Sequence, residues 1–496
     1  MAEHDELIVR QQKRDELEKQ GISPYPYRYD YTLTISEVLE KFKETDSQAL
    51  EEKKPRVKTP GRIVAKRVMG GASFFHLSNG KERLQIYVKK NAIGPEKYAT
   101  FKSFDTGDII GVEGSLFRTQ TGELTVLVED FTFLSKCLLP MPEKFHGLQD
   151  KETRYRQRYL DLIMNPEARL VFEKRFKIIR GIRKFFDQRG YFEVETPMLH
   201  PIPGGANARP FVTHHNALNM ELYLRIAPEL YLKRLIVGGF DRVYEINRSF
   251  RNEGIDFQHN PEFTMIEFYQ AYSDFNDLIK LTEELFLHLQ AEGVAPEKVV
   301  YDNNEISLTP PFQKVDFIES LSQLGPLTKE DLADPAKVIA LAQKKAAEAG
   351  AEAIPPVFAK AADYLFDEFV KPKLVQPTFV LNHPVELSPL AKPHREMEGR
   401  TERFELFMAG AEVANAFSEL NIPEIQLQRF QEQAKNREAG DDEAQFVDMD
   451  FVNALQYGLP PTAGEGIGID RLVMILTGTR SIKDVLLFPL LKLKEE

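Results

Sequence analysis

Residues 241–272, DRVYEINRSFRNEGIDFQHNPEFTMIEFYQAY, restrict the fold more than any other stretch of the chain. DRVYEINRSF and FTMIEFYQAY are rich in β-branched and aromatic residues and read as strands. NEGIDFQHNPE, between them, carries Asn, Gly, Asp and Pro, which is loop chemistry. The second strand alternates. Phe263, Met265, Glu267 and Tyr269 share one face, and Thr264, Ile266, Phe268 and Gln270 share the other. Two apolar groups, a carboxylate and a phenol on one face describe a pocket wall, although an ordinary buried strand with one paired glutamate reads the same way. Arg251 stands at the mouth of this strand–loop–strand, where its planar guanidinium can grip an anion bidentately.

At 496 residues the chain exceeds what one core can organise, so two or more domains are expected. The single cysteine, Cys137, can form neither an internal disulfide nor a cysteine metal site, and a reducing cytosol is its natural home. The opening MAEHDELIVRQQKRDE has no apolar segment of the signal-peptide kind, and no run approaches about 18 apolar residues. The expectation is a cytoplasmic protein, neither exported nor membrane-spanning. A net charge of −12 does not mark a nucleic-acid binder. Binding follows local patches, however, and residues 10–19 and 55–67 are basic or mixed. Each of these also reads as a plain solvated face.

Residues 1–20 look helical and stop at Gly21, Pro24 and Pro26, and a second helix is expected over about 36–53. From about 56 to 136 short alternating strands recur with turn signals every ten or so residues. Five strands with a helical insert at 95–104 fit an OB-fold barrel. A linker follows, then the longest helical stretch, 167–189, with Leu170, Phe172, Phe176, Ile179, Ile182 and Phe186 near helical spacing. That apolar set serves either a core or a subunit interface. YFEVETPML after Gly190 reads as a strand ending at Pro197. Residues 274–375 are mostly helical and show no chemistry.

Three further segments carry reactive side chains. In 222–246, Pro228 suits a first helical turn and Gly238–Gly239 its end. This places Glu229 where the helix dipole favours a carboxylate. In 403–421 a hairpin is expected with a turn around Met408–Gly410; a two-residue turn at 408–409 would set Glu405 opposite Glu412, a repulsion that a cation between them would relieve, although a hairpin with scattered solvated glutamates reads the same way. Asn415, Phe417 and Glu419 share one face. Glu412 has the other parity, so a bulge or the turn must re-aim it if all are to line one site. In 464–478, Gly464, Gly466 and Gly468 lead into an apolar helix bearing Arg471. Small residues there permit close backbone approach to a ligand, and a helix start favours phosphate. The segment matches neither a Walker A loop nor GxGxxG.

These segments, in this order, resemble motifs 1, 2 and 3 of the class II aminoacyl-tRNA synthetases, and the wording of FRNEGIDFQHNPEFTMIEFYQAY is similar to the lysyl-tRNA synthetase version. The resemblance covers nearly the whole chain. It implies an α+β multidomain protein: an N-terminal OB-fold β-barrel plus a class II synthetase antiparallel-sheet catalytic domain with a helical insertion. The implied boundaries are an N-terminal helical extension at 1–55, the OB-fold at 56–140, a linker at 141–160 and the catalytic domain at 161–496. Within the last fall motif 1 (about 167–197), motif 2 (about 241–272), the insertion (about 274–375) and motif 3 (about 464–489).

The resemblance also implies roles. Arg251 and Arg471 would be catalytic. ATP would meet Arg251, Glu253, His259, Phe263 and Arg471, and Mg2+ would sit on Glu405 and Glu412. Lysine would be bound by Gly205, Glu229, Glu267, Tyr269, Asn415, Phe417 and Glu419. The anticodon of tRNA(Lys) would be read by Arg67, Phe74, Gln85 and Glu123. Phe74 also has a plain core reading, and since strand neighbours face opposite ways, only one of Phe74 and Phe75 can point inward. Gln258 stands where many relatives carry a basic residue. Ala416 stands where glycine is common, and its methyl is expected to tighten the pocket. A homodimer is implied. The implied activity is ATP-dependent activation of L-lysine and its transfer to the 3' end of tRNA(Lys). The rivals are a catalytically inactive tRNA-binding or regulatory paralogue, and a paralogue that attaches lysine-like amino acids to a protein.

Overall fold

A computed structural model describes residues 2–142, 148–438 and 444–493 of the chain. It divides into two compact units, Met1–Leu170 and Val171–Glu496.

In the first unit, β1 (Arg56–Met69), β2 (Ala72–Ser78), β3 (Arg83–Lys89), β4 (Ile109–Arg118) and β5 (Leu124–Ser135) close into a barrel in the order β1-β2-β3-β5-β4. Inward positions alternate along each strand: Phe75 and Leu77 on β2, Leu84, Ile86 and Val88 on β3, and Val126 and Val128 on β5 are all buried. The insert Pro95–Ser103 starts with its proline in the first turn, where a missing N–H costs nothing, and delivers Tyr98 and Phe101 to the same core. Phe75 is the inward member of its pair, its ring 4.6 Å from that of Phe101. Phe74 faces outward and stacks on Tyr87 at 4.4 Å.

The N-terminal helix runs Ala2–Lys19. The single helix expected over 36–53 is two, Ile35–Phe42 and Ser47–Lys53, because the Asp46 side chain accepts from the Ala49 amide and starts a new N-terminus. Residues 143–147 of the expected linker lie outside the described residues. Beyond them come helices Lys151–Arg156 and Arg158–Met164.

The second unit is built on an eight-stranded sheet. Its strands are β6 (Phe192–Glu193), β7 (Arg242–Phe250), β8 (Glu262–Ala271), β9 (Gln313–Asp316), β10 (Thr378–Leu381), β11 (Arg403–Met408), β12 (Ala411–Ser418) and β13 (Thr462–Gly468). Their order is β9-β10-β11-β12-β13-β8-β7-β6, antiparallel except at β6–β7 and β9–β10. One face is apolar: Ile266, Phe268, Leu406, Ala414, Ala416 and Ile467 pack against helices Pro166–Asp187, Phe275–Ala291 and Ile469–Thr477. On the first of these helices Phe172, Ile182 and Phe186 are buried, while Leu170 and Phe176 are 50% and 46% exposed, so its apolar set divides between a core side and an open side.

The strand expected at YFEVETPML shrinks to Phe192–Glu193. Val194 adds one hydrogen bond to the Tyr244 carbonyl, and the chain then leaves the sheet toward Pro197, which has no donor to extend a ladder. Within the expected insertion, Phe317, Leu321, Val338, Ala342, Leu365 and Phe366 belong to a separate small core.

The Phe74/Phe75 pair yields a direct check. Phe75→Ala should destabilise the barrel by about 3–5 kcal/mol, whereas Phe74→Ala, which loses only a surface stack, should cost under about 1.5 kcal/mol. Hydrogen exchange of the β2 and β3 amides reads both, and equal losses would refute the assigned facing.

Candidate active site

On the other face of the sheet lies a cavity of about 350 Å³, large enough for a small ligand. Strand β8 forms its floor. Phe263, Met265, Glu267 and Tyr269 line it, while Ile266 and Phe268 face the apolar core. The alternation read from the sequence is therefore the alternation observed.

The hairpin β11–β12 supplies one wall, and its geometry departs from expectation in two ways. The two-residue turn is Ala409–Gly410, with φ of 52° and 72°, and not 408–409. Opposite Glu405 stands Asn415, and opposite Phe407 stands Glu412. A bulge between these pairs leaves Val413 and Ala414, successive residues, both in the apolar core cluster. The extra residue restores the parity of Glu412, which joins Asn415 and Phe417 on the cavity. Ala416 lies on the other side, fully buried in the core, so its methyl does not narrow the cavity.

The three glycines sit on strand β13, and only Gly468 caps the helix Ile469–Thr477. Their absent side chains make room for neighbours. A Cβ at Gly464 would overlap the Tyr269 ring and the Glu419 carboxylate, and one at Gly466 would come to 3.0 Å from Met265 Cε. The helix start is fixed by Asp470. Its carboxylate accepts from the Thr264 amide at 2.7 Å and pairs with Arg175 at 2.5 Å.

From that helix Arg471 reaches the cavity, donating to the Glu412 carbonyl at 2.8 Å and lying 2.9 Å from His259 Nε2. His259 is oriented through its other nitrogen, 2.8 Å from Asp256 Oδ2. Arg251 lies 5.1 Å from the Phe263 ring centroid, and its buried Nε makes no hydrogen bond. Glu253 and Gly205 also line the cavity. So does Lys371, a cation from the segment in which the sequence showed no chemistry.

The opposite end of the cavity is acidic. Glu229, in the first turn of helix Glu229–Val237, is 6% exposed, and Glu267 is 5% exposed. Burial, then the charge of Glu229, pushes the Glu267 carboxyl up to about 8. The Tyr269 hydroxyl donates to Glu267 at 3.3 Å. Glu419, 1% exposed, lies behind the cavity wall and is paired with Lys233. Lys233 is fully buried and also contacts Glu229 at 2.5 Å. No motif marked Lys233. The signal available was its position four residues after Glu229, an ordinary helical pair.

Glu405 stands behind the wall as well, 2.5 Å from Arg403 and 3.4 Å from His383. Burial would raise its carboxyl, but Arg403 and then His383 hold it at about 2. Glu412 shifts upward through burial and the charge of Glu405. Two carboxylates that repel one another are a donor set a hard divalent cation could share, with Glu405 already paired to Arg403. Among the described residues no third His, Cys, Asp or Glu completes a metal cluster, so phosphate oxygens and water would fill the remaining positions.

On the outer face of the barrel, Arg67 pairs across strands with Phe74 and is exposed. Gln85 donates to Glu123 at 2.8 Å, and Glu123 also meets His76 at 3.2 Å. Arg67, Phe74, Gln85 and Glu123 thus share one surface with Tyr87 and His76, two residues the sequence reading passed over.

The family model for class II tRNA synthetases (D, K and N) matches residues 150–492, and that for the OB-fold nucleic acid binding domain matches 57–134. The lysine–tRNA ligase of Pelotomaculum thermopropionicum is 52% identical, covering 99% of this chain and 95% of that protein. Those of Lysinibacillus sphaericus and Carboxydothermus hydrogenoformans are 50% and 49% identical, each over 99% of this chain and over 97% and 99% of their own lengths. The chain belongs to the class II tRNA synthetases of the D, K and N group and, within that class, to the lysine–tRNA ligase family.

Gly464→Ala should lower stability by about 1–3 kcal/mol, because Tyr269 and Glu419 cannot both keep their positions. Thermal unfolding measures this, and an unchanged Tm would mean that the strand tolerates the methyl.

Proposed function

We propose that the protein activates L-lysine with ATP, forming lysyl-adenylate and pyrophosphate, and then transfers the lysyl group to the 3' end of tRNA(Lys). The observation that carries this reading is the cavity lining: Arg251 beside Phe263 and Arg471 beside His259, and, farther along β8, the buried Glu267 and Tyr269 with Glu229. The matched family model spans aspartate, lysine and asparagine enzymes. An acidic side chain needs a cationic pocket, whereas Glu229, Glu267, Glu419 and Tyr269 suit a diamino acid. A site built of buried carboxylates rejects a ligand without the matching ammonium, because its charge would be left unpaired.

In the first step the lysine carboxylate oxygen attacks the α-phosphorus of ATP and pyrophosphate leaves with the electron pair of the broken P–O bond. In the second, the terminal adenosine hydroxyl of the tRNA attacks the lysyl carbonyl and AMP leaves. Neither step needs a protein nucleophile, so the residues act by positioning and charge stabilisation. Arg251, with its unpartnered Nε, grips the α-phosphate and the lysine carboxylate. Phe263 and Arg471 sandwich the adenine, Arg471 also reaching the terminal phosphate, while Glu253 and His259 hold the nucleotide. Glu229 and the Gly205 backbone take the α-amine. Asn415 stands near the carboxylate, Phe417 walls the side chain, and Tyr269, Glu419 and Glu267 serve the ε-ammonium. Magnesium held by Glu405 and Glu412 would neutralise phosphate charge.

On the barrel, Arg67, Phe74, Gln85 and Glu123 read the anticodon, with stacking on the half-buried Phe74–Tyr87 pair as the means of holding a splayed base. The open apolar side of helix Pro166–Asp187, with Phe176, serves a homodimer. No helix among the described residues is long and apolar enough to cross a membrane, and the protein works in the cytoplasm.

Amino-acid-dependent ATP–pyrophosphate exchange, run with all twenty amino acids, tests the reading. Lysine alone should support exchange, and Arg251→Ala should reduce it by roughly 10²- to 10³-fold. Exchange with aspartate or asparagine instead, or with no amino acid from folded protein, would defeat the assignment.

The pH dependence has a definite sign. Glu267, at about 8 in the free protein, is neutral below that pH and cannot pair with an ammonium. It ionises above it. kcat/KM for lysine should therefore rise with pH and level off above about 8. A profile flat from pH 6.5 to 9 would contradict an acidic host with a raised carboxyl.

A further inference from the structure

The acidic end of the cavity contains a cation that belongs to the protein. Lys233 is 0% exposed, on a helix whose Leu230, Leu232 and Ile236 join Tyr269 and Phe451 in one apolar cluster. Its Nζ is 2.5 Å from Glu229 Oε1 and in contact with Glu419 Oε2. The same Nζ lies 5.3 Å from the Phe417 ring centroid, 5.9 Å from that of Phe451 and 6.0 Å from that of Tyr269. Two carboxylates and two rings of the amine-binding end therefore already enclose an ammonium.

Fold stability alone gives no reason for this arrangement. Replacing a buried ion pair by apolar side chains of similar volume is often neutral or stabilising. A fully buried helix position beside the Phe417 and Phe451 rings would ordinarily be filled by leucine or methionine. The pairing makes sense only if the carboxylates are needed for something else and must be kept charged and in place.

We infer that Lys233 is a positioning residue for amino-acid recognition: its ammonium ties Glu229, which lines the cavity, to Glu419 behind its wall and holds both carboxylates in place for the incoming amines. The inference rests on the lysine-binding reading of this cavity and extends it. The local electrostatics support it. Glu229, Glu267 and Glu419 crowd one buried volume: burial and then Glu229 push Glu267 up, and burial, Glu229 and Glu267 push Glu419 up. Without Lys233 the carboxyls would take up protons, and neutral acids are poor hosts for an ammonium.

The charged and titratable groups around Lys233 are few. Its own helix offers Glu229, β8 offers Tyr269 and Glu267, and the segment after β12 offers Glu419. Helix Met449–Gln456 presents only the Phe451 ring, and Arg403 acts on Glu229 from β11. Burial pushes Glu229 and Glu419 up, and Lys233 is the main influence opposing it at both. Burial would lower Lys233 itself, but Glu229 and then Glu419 raise it, so it stays charged.

The test compares wild type, Lys233→Met and Lys233→Arg in lysine-dependent ATP–pyrophosphate exchange from pH 6.5 to 9, with separate KM values for lysine and ATP. The methionine variant keeps the volume and removes the charge. Its lysine KM should rise roughly 100-fold at pH 7, while its ATP KM stays within about twofold. The rise of kcat/KM for lysine should move to higher pH, because Glu229 and Glu419 now ionise later. The arginine variant, which keeps a cation, should recover most of the lysine affinity. A methionine variant with lysine KM within about threefold of wild type, or an unshifted pH profile, would overturn the inference. So would loss of ATP and lysine binding together in both variants, since Lys233 would then be a folding residue only. Wild-type protein that shows no lysine-dependent exchange would instead remove the substrate reading on which the inference depends.

Discussion

Strand β8 has to satisfy two incompatible surroundings, and the catalytic unit is arranged around how it does so. Ile266 and Phe268 are driven into an apolar layer shared with three helices. Phe263, Met265, Glu267 and Tyr269 are thereby committed to the opposite side. The strand period is two, so a slip of one residue against β7 or β13 would drive Glu267 into the helices and expose Ile266. The cost of burying those charges against phenylalanine fixes the register. The register in turn sets Gly464 opposite Tyr269 and Gly466 opposite Glu267. Glycine on β13 gives the Tyr269 ring and the Glu419 carboxylate their space.

Charge is then sorted within a small volume. Arg251, Arg471 and Lys371 stand toward one end of the cavity, and Glu229, Glu267 and Glu419 crowd the other. Burial, and after it the charge of neighbouring carboxylates, shifts Glu267, Glu412 and Glu419 upward. The chain answers with internal cations, Lys233 against Glu229 and Glu419, and Arg403 against Glu405. These residues touch the acids rather than the open cavity. They hold the carboxylates in place and oppose the protonation that burial favours.

The barrel works on the same alternation with the opposite outcome. Phe75 is spent on the core, and Phe74, one residue away, is left outside with Tyr87, His76 and Gln85. A surface of stacked rings next to polar groups is costly to expose unless a base or another ring covers it. This makes the outer face of β1–β3 the part of the first unit least explained by folding alone.

The sequence by itself determined the features that depend on near neighbours along the chain. Strand alternation, glycine and proline stops, the N-terminal position of Glu229 in its helix, and the family resemblance of three motifs were all legible, because period, capping and turn chemistry are local. What the sequence left open depended on groups far apart in it. The parity of Glu412 was settled by a bulge at Val413 that arises when β12 must match both β11 and β13. The methyl of Ala416 went to the core. The glycines at 464 and 466 line the cavity and also make way for side chains of β8 and of the segment after β12, a second role that the sequence did not show. Lys233 and Lys371 carried no motif at all, and their importance comes from which distant carboxylates or cavity walls the fold brings beside them. Electrostatic energy depends on distance and burial, quantities that exist only once the chain has folded.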